Sequence, residues 1–261
     1  MLIHCIYIGK NFLLCTKNQY FASAMNTLIK EFKPTASMPE KALIMLFDLQ
    51  GFSKFFNQPD VNDYVPKYLN VVFNAINLCI EGGDAYWRLK SLRKTPYEPL
   101  PKPVHTKYLG DGGMYIWRYS DLTKGELIYL INRLWILANN FEKINMKANE
   151  IVPVFETPKR IRFGIAAGSV YKLNYQESEE EEYIGYCINL ASRLQSYCRE
   201  IGFIVSARLD VSNDLLKEFD YKRVVADQIK GFPHEIVIVD RNDYDNLDPA
   251  VRNHLFKSSL V

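Results

Sequence analysis

From Lys41 to Asp48 the chain is almost unbrokenly apolar, Ala-Leu-Ile-Met-Leu-Phe closed by an acid, and a polar stretch containing Gly51 follows. A short run without alternation predicts a strand buried on both faces. Between Asn62 and Glu81 the apolar residues Val65, Leu69, Val72, Phe73, Ile76 and Cys79 recur at helical spacing, and Gly82-Gly83 ends the pattern. His105–Leu109 and Met114–Trp117 flank Gly110-Asp-Gly-Gly113, which reads as a β-hairpin. Leu122 to Ala148 has the periodicity of one long amphipathic helix, and Tyr186 to Glu200 that of another. Arg162–Ala167 and Ser169–Leu173 read as two strands turned at Gly168, and Ile204–Ser206, Arg223–Ala226 and Glu235–Val239 as further strands.

Before the first strand, Asn18 to Phe32 reads as a helix that stops near Pro34, with Pro34–Pro39 as a linker. The division expected is an N-terminal appendage over 1–40, one domain over 41–241 and a tail over 242–261. Ser91 to Val104 is a Pro-rich basic excursion, and Glu177 to Glu182 an acidic loop. The β-α-β-β-α-β order predicts an α+β fold on a split βαβ, ferredoxin-like core with an antiparallel central sheet.

Composition narrows the function. The 261 residues are 48% hydrophobic and 24% charged, with a formal net charge of +2, so the chain has no global nucleic-acid footprint. No apolar run reaches 18 residues and Lys10 interrupts the apolar N-terminus, so neither a membrane span nor a signal peptide is expected. The five cysteines form no CxxC pair and the four histidines are far apart, which removes zinc spacing and points to reduced thiols in a cytoplasmic protein.

Two acids stand at special places. Asp48 ends the buried strand and Asp111 sits at the tip of the glycine-rich hairpin. Adjacent antiparallel strands bring two such carboxylates together, and with the Leu49 carbonyl they would hold Mg²⁺ or Mn²⁺. Paired divalent ions bind a triphosphate and lower the pKa of an attacking hydroxyl. Taken singly, Asp48 is also what a cap would be and Asp111 what a turn would be. In Gly185-Tyr-Cys-Ile-Asn-Leu-Ala-Ser-Arg193, Asn189 and Arg193 share a helix face. Asn can orient a ribose and Arg can neutralise developing phosphoryl charge; the plainer origin is the polar edge of an amphipathic helix.

Together and in this order, Phe47–Ser53, Lys107–Gly113, Arg162–Gly168 and Gly185–Arg193 resemble the class III nucleotidyl cyclase catalytic domain, and Lys230-Gly-Phe-Pro233 resembles its terminal hairpin. The resemblance covers roughly Ala42 to Asp240. It implies that Asp48, Asp111 and the Leu49 carbonyl hold two divalent ions, Mn²⁺ or Mg²⁺. It implies that Asn189 orients the ribose and that Arg193 stabilises the pentacoordinate phosphate. Lys107 falls on a base-reading lysine, and Glu182, seven before Asn189, on the second base-reading position. Phe232 stands where some relatives have a triphosphate-binding lysine, leaving Lys230, Lys172 or another cation to serve. The resemblance further implies a head-to-tail homodimer with composite sites, the metal carboxylates from one chain and Lys, Asn and Arg from the other. The reaction would be attack of the ribose 3′-oxygen on the α-phosphate, with pyrophosphate released.

Lys107 as donor and Glu182 as acceptor suit adenine, cytosine or uracil. Phe52, Tyr108, Tyr183 and Tyr186 are expected near the base pocket, where crowding would favour a pyrimidine and offer a stacking face; the plainer reading is that these rings belong to the core. With little beside the catalytic domain read in the sequence, the chain resembles the stand-alone uridylate and cytidylate cyclases of Pycsar anti-phage systems. That resemblance implies UTP as substrate, cyclic UMP as product and a separate effector activated by it. Cytidylate or adenylate cyclase is the alternative within the class. A catalytically silent cyclase-like dimerisation module and a polymerase-like palm domain are the alternatives outside it; the latter is disfavoured by the Asn189–Arg193 helix and the lack of a basic stripe.

Overall fold

The computed structural model describes residues 38–81, 100–152, 156–173, 181–197, 199–227 and 229–257. Expectations over 1–37, 82–99 and 174–180, including the N-terminal helix, the basic excursion and most of the acidic loop, lie outside the described residues. Pro39 to Val261 forms one compact unit.

A single nine-stranded sheet organises that unit. Strand β1 (Glu40–Gln50) lies between β3 (Gly112–Arg118) and β4 (Arg160–Leu173), antiparallel to both. β2 (His105–Tyr108) adds to β3 and closes the predicted hairpin. β5 (Glu182–Gly185) pairs only with β4. β4 and β6 (Phe203–Ser206) make the parallel pair, and β8 (Glu235–Asp240), β7 (Tyr221–Ala226) and β9 (Phe256–Lys257) continue to the far edge.

The unbroken apolar run of β1 follows from burial on both faces. Leu43, Met45, Phe47 and Leu49 pack into one core with Tyr68, Val72 and Ile76 of α2 (Val65–Ile80), Ile131 and Leu134 of α3 (Lys124–Asn139) and Ile144 of α4 (Phe141–Asn149). A short α1 (Phe52–Phe56) precedes α2. Ala42, Ile44 and Leu46 face a second core, where they meet Leu190, Ala191 and Leu194 of α5 (Tyr186–Tyr197). The remaining helices, α6 (Asn213–Glu218), α7 (Arg241–Asp245) and α8 (Pro249–Leu255), are short.

The structure changes the sequence reading in three places. The long helix expected over Leu122–Ala148 is two helices, broken where Asn140 leaves helical geometry and its Nδ2 donates back to the Ile136 carbonyl at 2.7 Å. Gly168 is no turn: β4 runs straight through it, and its missing side chain makes room for Cys187, whose Cβ lies 3.0 Å from where a Cβ would sit. The stretch 242–257, read as tail, carries α8 and β9, and Phe256 pairs with Ala226 at the sheet edge.

Candidate functional site

Register places the two aspartates side by side. Asp48 faces Gly112 across the β1–β3 ladder, and the Leu49 N–H donates to the Asp111 carbonyl at 3.2 Å. The hairpin can approach this closely because Gly112 lacks a side chain; a Cβ there would collide with the Phe47 carbonyl. Gly110, with φ of +74°, turns the chain at the tip. Burial raises the Asp111 carboxyl above its usual range; its own backbone N–H and Arg162 oppose the shift, and the nearby Asp48 charge adds to it.

Arg162 lies opposite Asp48 on β4. Its Nε donates to Asp48 Oδ2 at 3.0 Å and a terminal nitrogen donates to the same oxygen. Sequence reasoning quoted Arg162 within a motif and gave it no role. The signal was there in principle: Arg160-Ile-Arg162 opens a strand whose next residues are apolar, and alternation sends both arginines to one face.

On the opposite wall, Lys107 of β2 forms an ion pair with Glu182 at the start of β5. The neighbouring Glu181 is paired with Lys172 and accepts from the Tyr183 hydroxyl at 2.9 Å. Those two hydrogen bonds hold the Glu181 carboxyl below its usual range. Burial, aided by Glu181, pushes the Tyr183 hydroxyl up to about 12.

Helix α5 forms the third wall, seated directly on β4. A Cβ on Gly164 would collide with the Ala191 carbonyl and lie 2.5 Å from the Gln195 nitrogen. This contact brings Ile188, Asn189, Ser192 and Gln195 to the cleft. Together with Asp48, Asp111, Lys107 and Glu182 they line a space of about 410 Å³.

Five of the residues singled out in the sequence therefore meet through their side chains: Asp48, Asp111, Lys107, Glu182 and Asn189. Leu49 adjoins them through its backbone. Arg193, one turn past Asn189, is exposed and does not line the cleft. Lys230 sits exposed in the β7–β8 turn beside Gly231, also away from it. Phe52 packs on Phe55 and Phe56, with ring centroids at 5.5 and 6.0 Å. Tyr108, Tyr183 and Tyr186, like Phe52, do not line the cleft of this chain. Tyr108 stacks on Phe73 at 4.3 Å, Tyr183 packs against His105 at 5.1 Å, and Tyr186 packs against the buried Phe232 at 4.5 Å. The apolar lining of the cleft is Leu46, Phe47, Leu109, Met114 and Ile188.

The donor set fits a hard divalent ion. Among the described residues no three His, Cys, Asp or Glu side chains cluster, so two carboxylates would need a backbone oxygen or a ligand oxygen to complete coordination. The Leu49 carbonyl leaves the strand on the same side as its N–H, toward Asp111. No helix among the described residues is long and apolar enough to cross a membrane.

No family model matches the sequence, and none of the curated proteins matches it. Solved structures do match in shape. The chain is similar to the guanylyl cyclase Cya2, with TM-score 0.54 and 17% identity over 79% of this chain and 93% of that one. It is similar to the adenylyl cyclase CyaB from P. aeruginosa, with TM-score 0.55 and 20% identity over 78% of this chain and 96% of that one. A bacterial light-regulated adenylyl cyclase matches with TM-score 0.50 and 16% identity, over 78% of this chain and 92% of that one. With its mixed architecture and predominantly antiparallel central sheet, the chain has the class III nucleotidyl cyclase fold.

Proposed function

We propose that the protein is a metal-dependent nucleotidyl cyclase acting on a ribonucleoside triphosphate. The observation that carries this reading is the meeting of Asp48, Asp111, Lys107, Glu182 and Asn189 around one cleft. In this reading Asp48, Asp111 and the Leu49 carbonyl hold Mn²⁺ or Mg²⁺. When bound, the metal supplies charge neutralisation for the triphosphate and a lowered pKa for the ribose hydroxyl. Asn189 orients the ribose, and Arg193 meets charge developing on the α-phosphate. The O3′–P bond forms, the bond to the β-phosphate bridging oxygen breaks, and the hydroxyl proton leaves with pyrophosphate.

Arg193 lies outside the cleft that holds Asp48, Asp111, Lys107 and Asn189, so in this reading a head-to-tail partner brings the arginine alone, not the Lys, Asn and Arg together that the resemblance implies. Residues 41–241 form the catalytic domain of this reading, with 1–40 as an appendage. Mixing an Asp111→Ala chain with an Arg193→Ala chain tests it. Neither is complete alone, and partial activity is expected on mixing; mixed dimers that stay inactive would rule out the shared site.

For the base, Lys107 offers donors beside the Glu182 acceptor, which uracil satisfies, as do cytosine and adenine. The uridylate reading, with cyclic UMP as an anti-phage signal acting on a separate effector, rests on the resemblance to Pycsar cyclases. Product analysis decides it. Purified protein with Mn²⁺ is offered ATP, GTP, CTP and UTP singly and in equal mixture, and products are identified by mass and retention. Dominant cyclic UMP is expected. Dominant cyclic AMP would leave a cyclase without the defence role, and no cyclic product from any of the four would favour a silent module.

A further inference from the structure

The cleft reading gives roles to the charged residues and to Asn189, and it leaves two polar lining residues of α5 without one, Ser192 and Gln195. The register shows where along the cleft they stand. Gly168 faces Ala42 of β1 and leaves room for Cys187. Gly164 faces Leu46 and leaves room for Gln195, whose Cβ lies 2.8 Å from where a Cβ on that glycine would sit. Helix α5 therefore runs along β1 toward its acidic end, and Gln195 is the lining residue of the helix that reaches farthest toward Asp48. Gly164 and Arg162 are alternate residues of β4, so Gln195 stands one same-face step, about 7 Å, from the rung shared by Asp48 and Arg162. Asn189 is six residues back, about 9 Å along the helix axis. Gln195 is half-buried, its backbone is seated against Gly164, and its side-chain amide has no hydrogen-bond partner among the described residues.

We propose that Gln195 is a substrate-contacting residue whose amide N–H donates to a non-bridging oxygen of the α-phosphate. With the base between Lys107 and Glu182 and the ribose at Asn189, the α-phosphate is the group that lies between the ribose and the carboxylates, and Gln195 borders that stretch of the cleft. Charge on the non-bridging oxygens rises as O3′ attacks, so this hydrogen bond strengthens toward the transition state. A neutral amide suits a place beside Asp48 and Asp111. A guanidinium there pairs with a carboxylate, as Arg162 does with Asp48, whereas an amide is held less tightly by the acids and stays free for the phosphate. The inference rests on the cyclase reading of the cleft.

The test is steady-state turnover of the full-length chain with Mn²⁺. ATP, GTP, CTP and UTP are offered, each also as its two α-phosphorothioate diastereomers, and wild type is compared with Gln195→Leu, Gln195→Glu and Ser196→Ala. On the nucleotide that wild type cyclises, Gln195→Leu is expected to lower kcat about tenfold with KM within about twofold. Gln195→Glu, which puts an anion in place of the donor, is expected to lower kcat further. Ser196→Ala, an exposed neighbour outside the cleft, should turn over like wild type. Sulfur accepts hydrogen bonds poorly, so in wild type sulfur at the contacted position slows one diastereomer more than the other. In Gln195→Leu that relative penalty should shrink by about the same tenfold. A kcat loss that leaves the diastereomer ratio as in wild type, a loss confined to KM, or wild-type kcat in Gln195→Leu would overturn the assignment and leave the cleft reading standing. So would a fall in melting temperature shared by both Gln195 variants, which would mark the residue as a seat for α5 only. No cyclic product from wild type with any of the four nucleotides would overturn both.

Discussion

The Arg162 guanidinium donates to the Asp48 carboxylate through two of its nitrogens, the Nε contact being 3.0 Å. The carboxylate proposed to bind metal is thus already neutralised by a cation across the ladder. A divalent ion binding alone must compete with that guanidinium. Arg162→Ala is expected to bind Mn²⁺ more tightly in the absence of nucleotide, by about 1 kcal/mol or about fivefold, a modest gain because the pair is partly solvated. Turnover is expected to fall at the same time, because Asp48 loses the guanidinium that orients it. Calorimetric titration of Mn²⁺ checks the first part; equal or weaker binding in the variant would show that Arg162 does not compete.

Lys107 and Glu182 touch, so their effects should not add. Lys107→Ala and Glu182→Ala are each expected to raise KM by about tenfold, and the double variant to lose less than the product of the two. Strict additivity would mean that the pair is not coupled in the working enzyme.

Gly164→Ala should displace α5, since the new methyl group meets helix backbone rather than a movable side chain. A loss of about 1–3 kcal/mol is expected, with kcat reduced through Asn189. Gly125→Ala is the contrasting case. Its Cβ would meet nothing closer than 3.9 Å within α3, so stability should hold or rise by about 0.5 kcal/mol. Thermal melts of the two variants separate close packing from glycine's general flexibility.

Cys79 and Cys187 are buried and free. Burial pushes the first thiol up to about 12 and the second to about 11. The thiolate is the reactive form, so both should resist iodoacetamide at pH 8 in the folded protein and react once it is denatured. Peptide mass spectrometry reads this directly, and native labelling at the denatured rate would contradict the burial.

Much of the fold was legible because burial leaves a periodic trace. The two-sided cover of β1 appears as an apolar run, and the one-sided cover of α2 as helical spacing. The hairpin announced itself through Gly110-Asp-Gly-Gly113, because a tight turn and a close ladder exclude side chains. The same logic misread Gly168. A glycine demanded by a neighbouring helix looks, in one dimension, like a glycine demanded by a turn. The short β5 was hidden for a related reason: Glu182–Gly185 pairs only with the end of β4, and four residues make no pattern.

The residue types for two-carboxylate chemistry, and the elements that bear them, were set by local order: a strand end, a hairpin tip, one helix face. Which charges meet was decided only by the fold. Lys107 and Glu182 are 75 residues apart and Asp48 and Arg162 are 114 apart; the second pair shares a rung of the β1–β4 ladder, and the first meets although β2 and β5 are not paired strands. The aromatic side chains make the same point from the other direction. Phe52, Tyr108, Tyr183 and Tyr186 are near the site in sequence, yet their ring partners are Phe55, Phe73, His105 and Phe232 in turn, none of which lines the cleft. Periodicity reports whether a side chain is covered; the register and packing of distant segments determine what covers it.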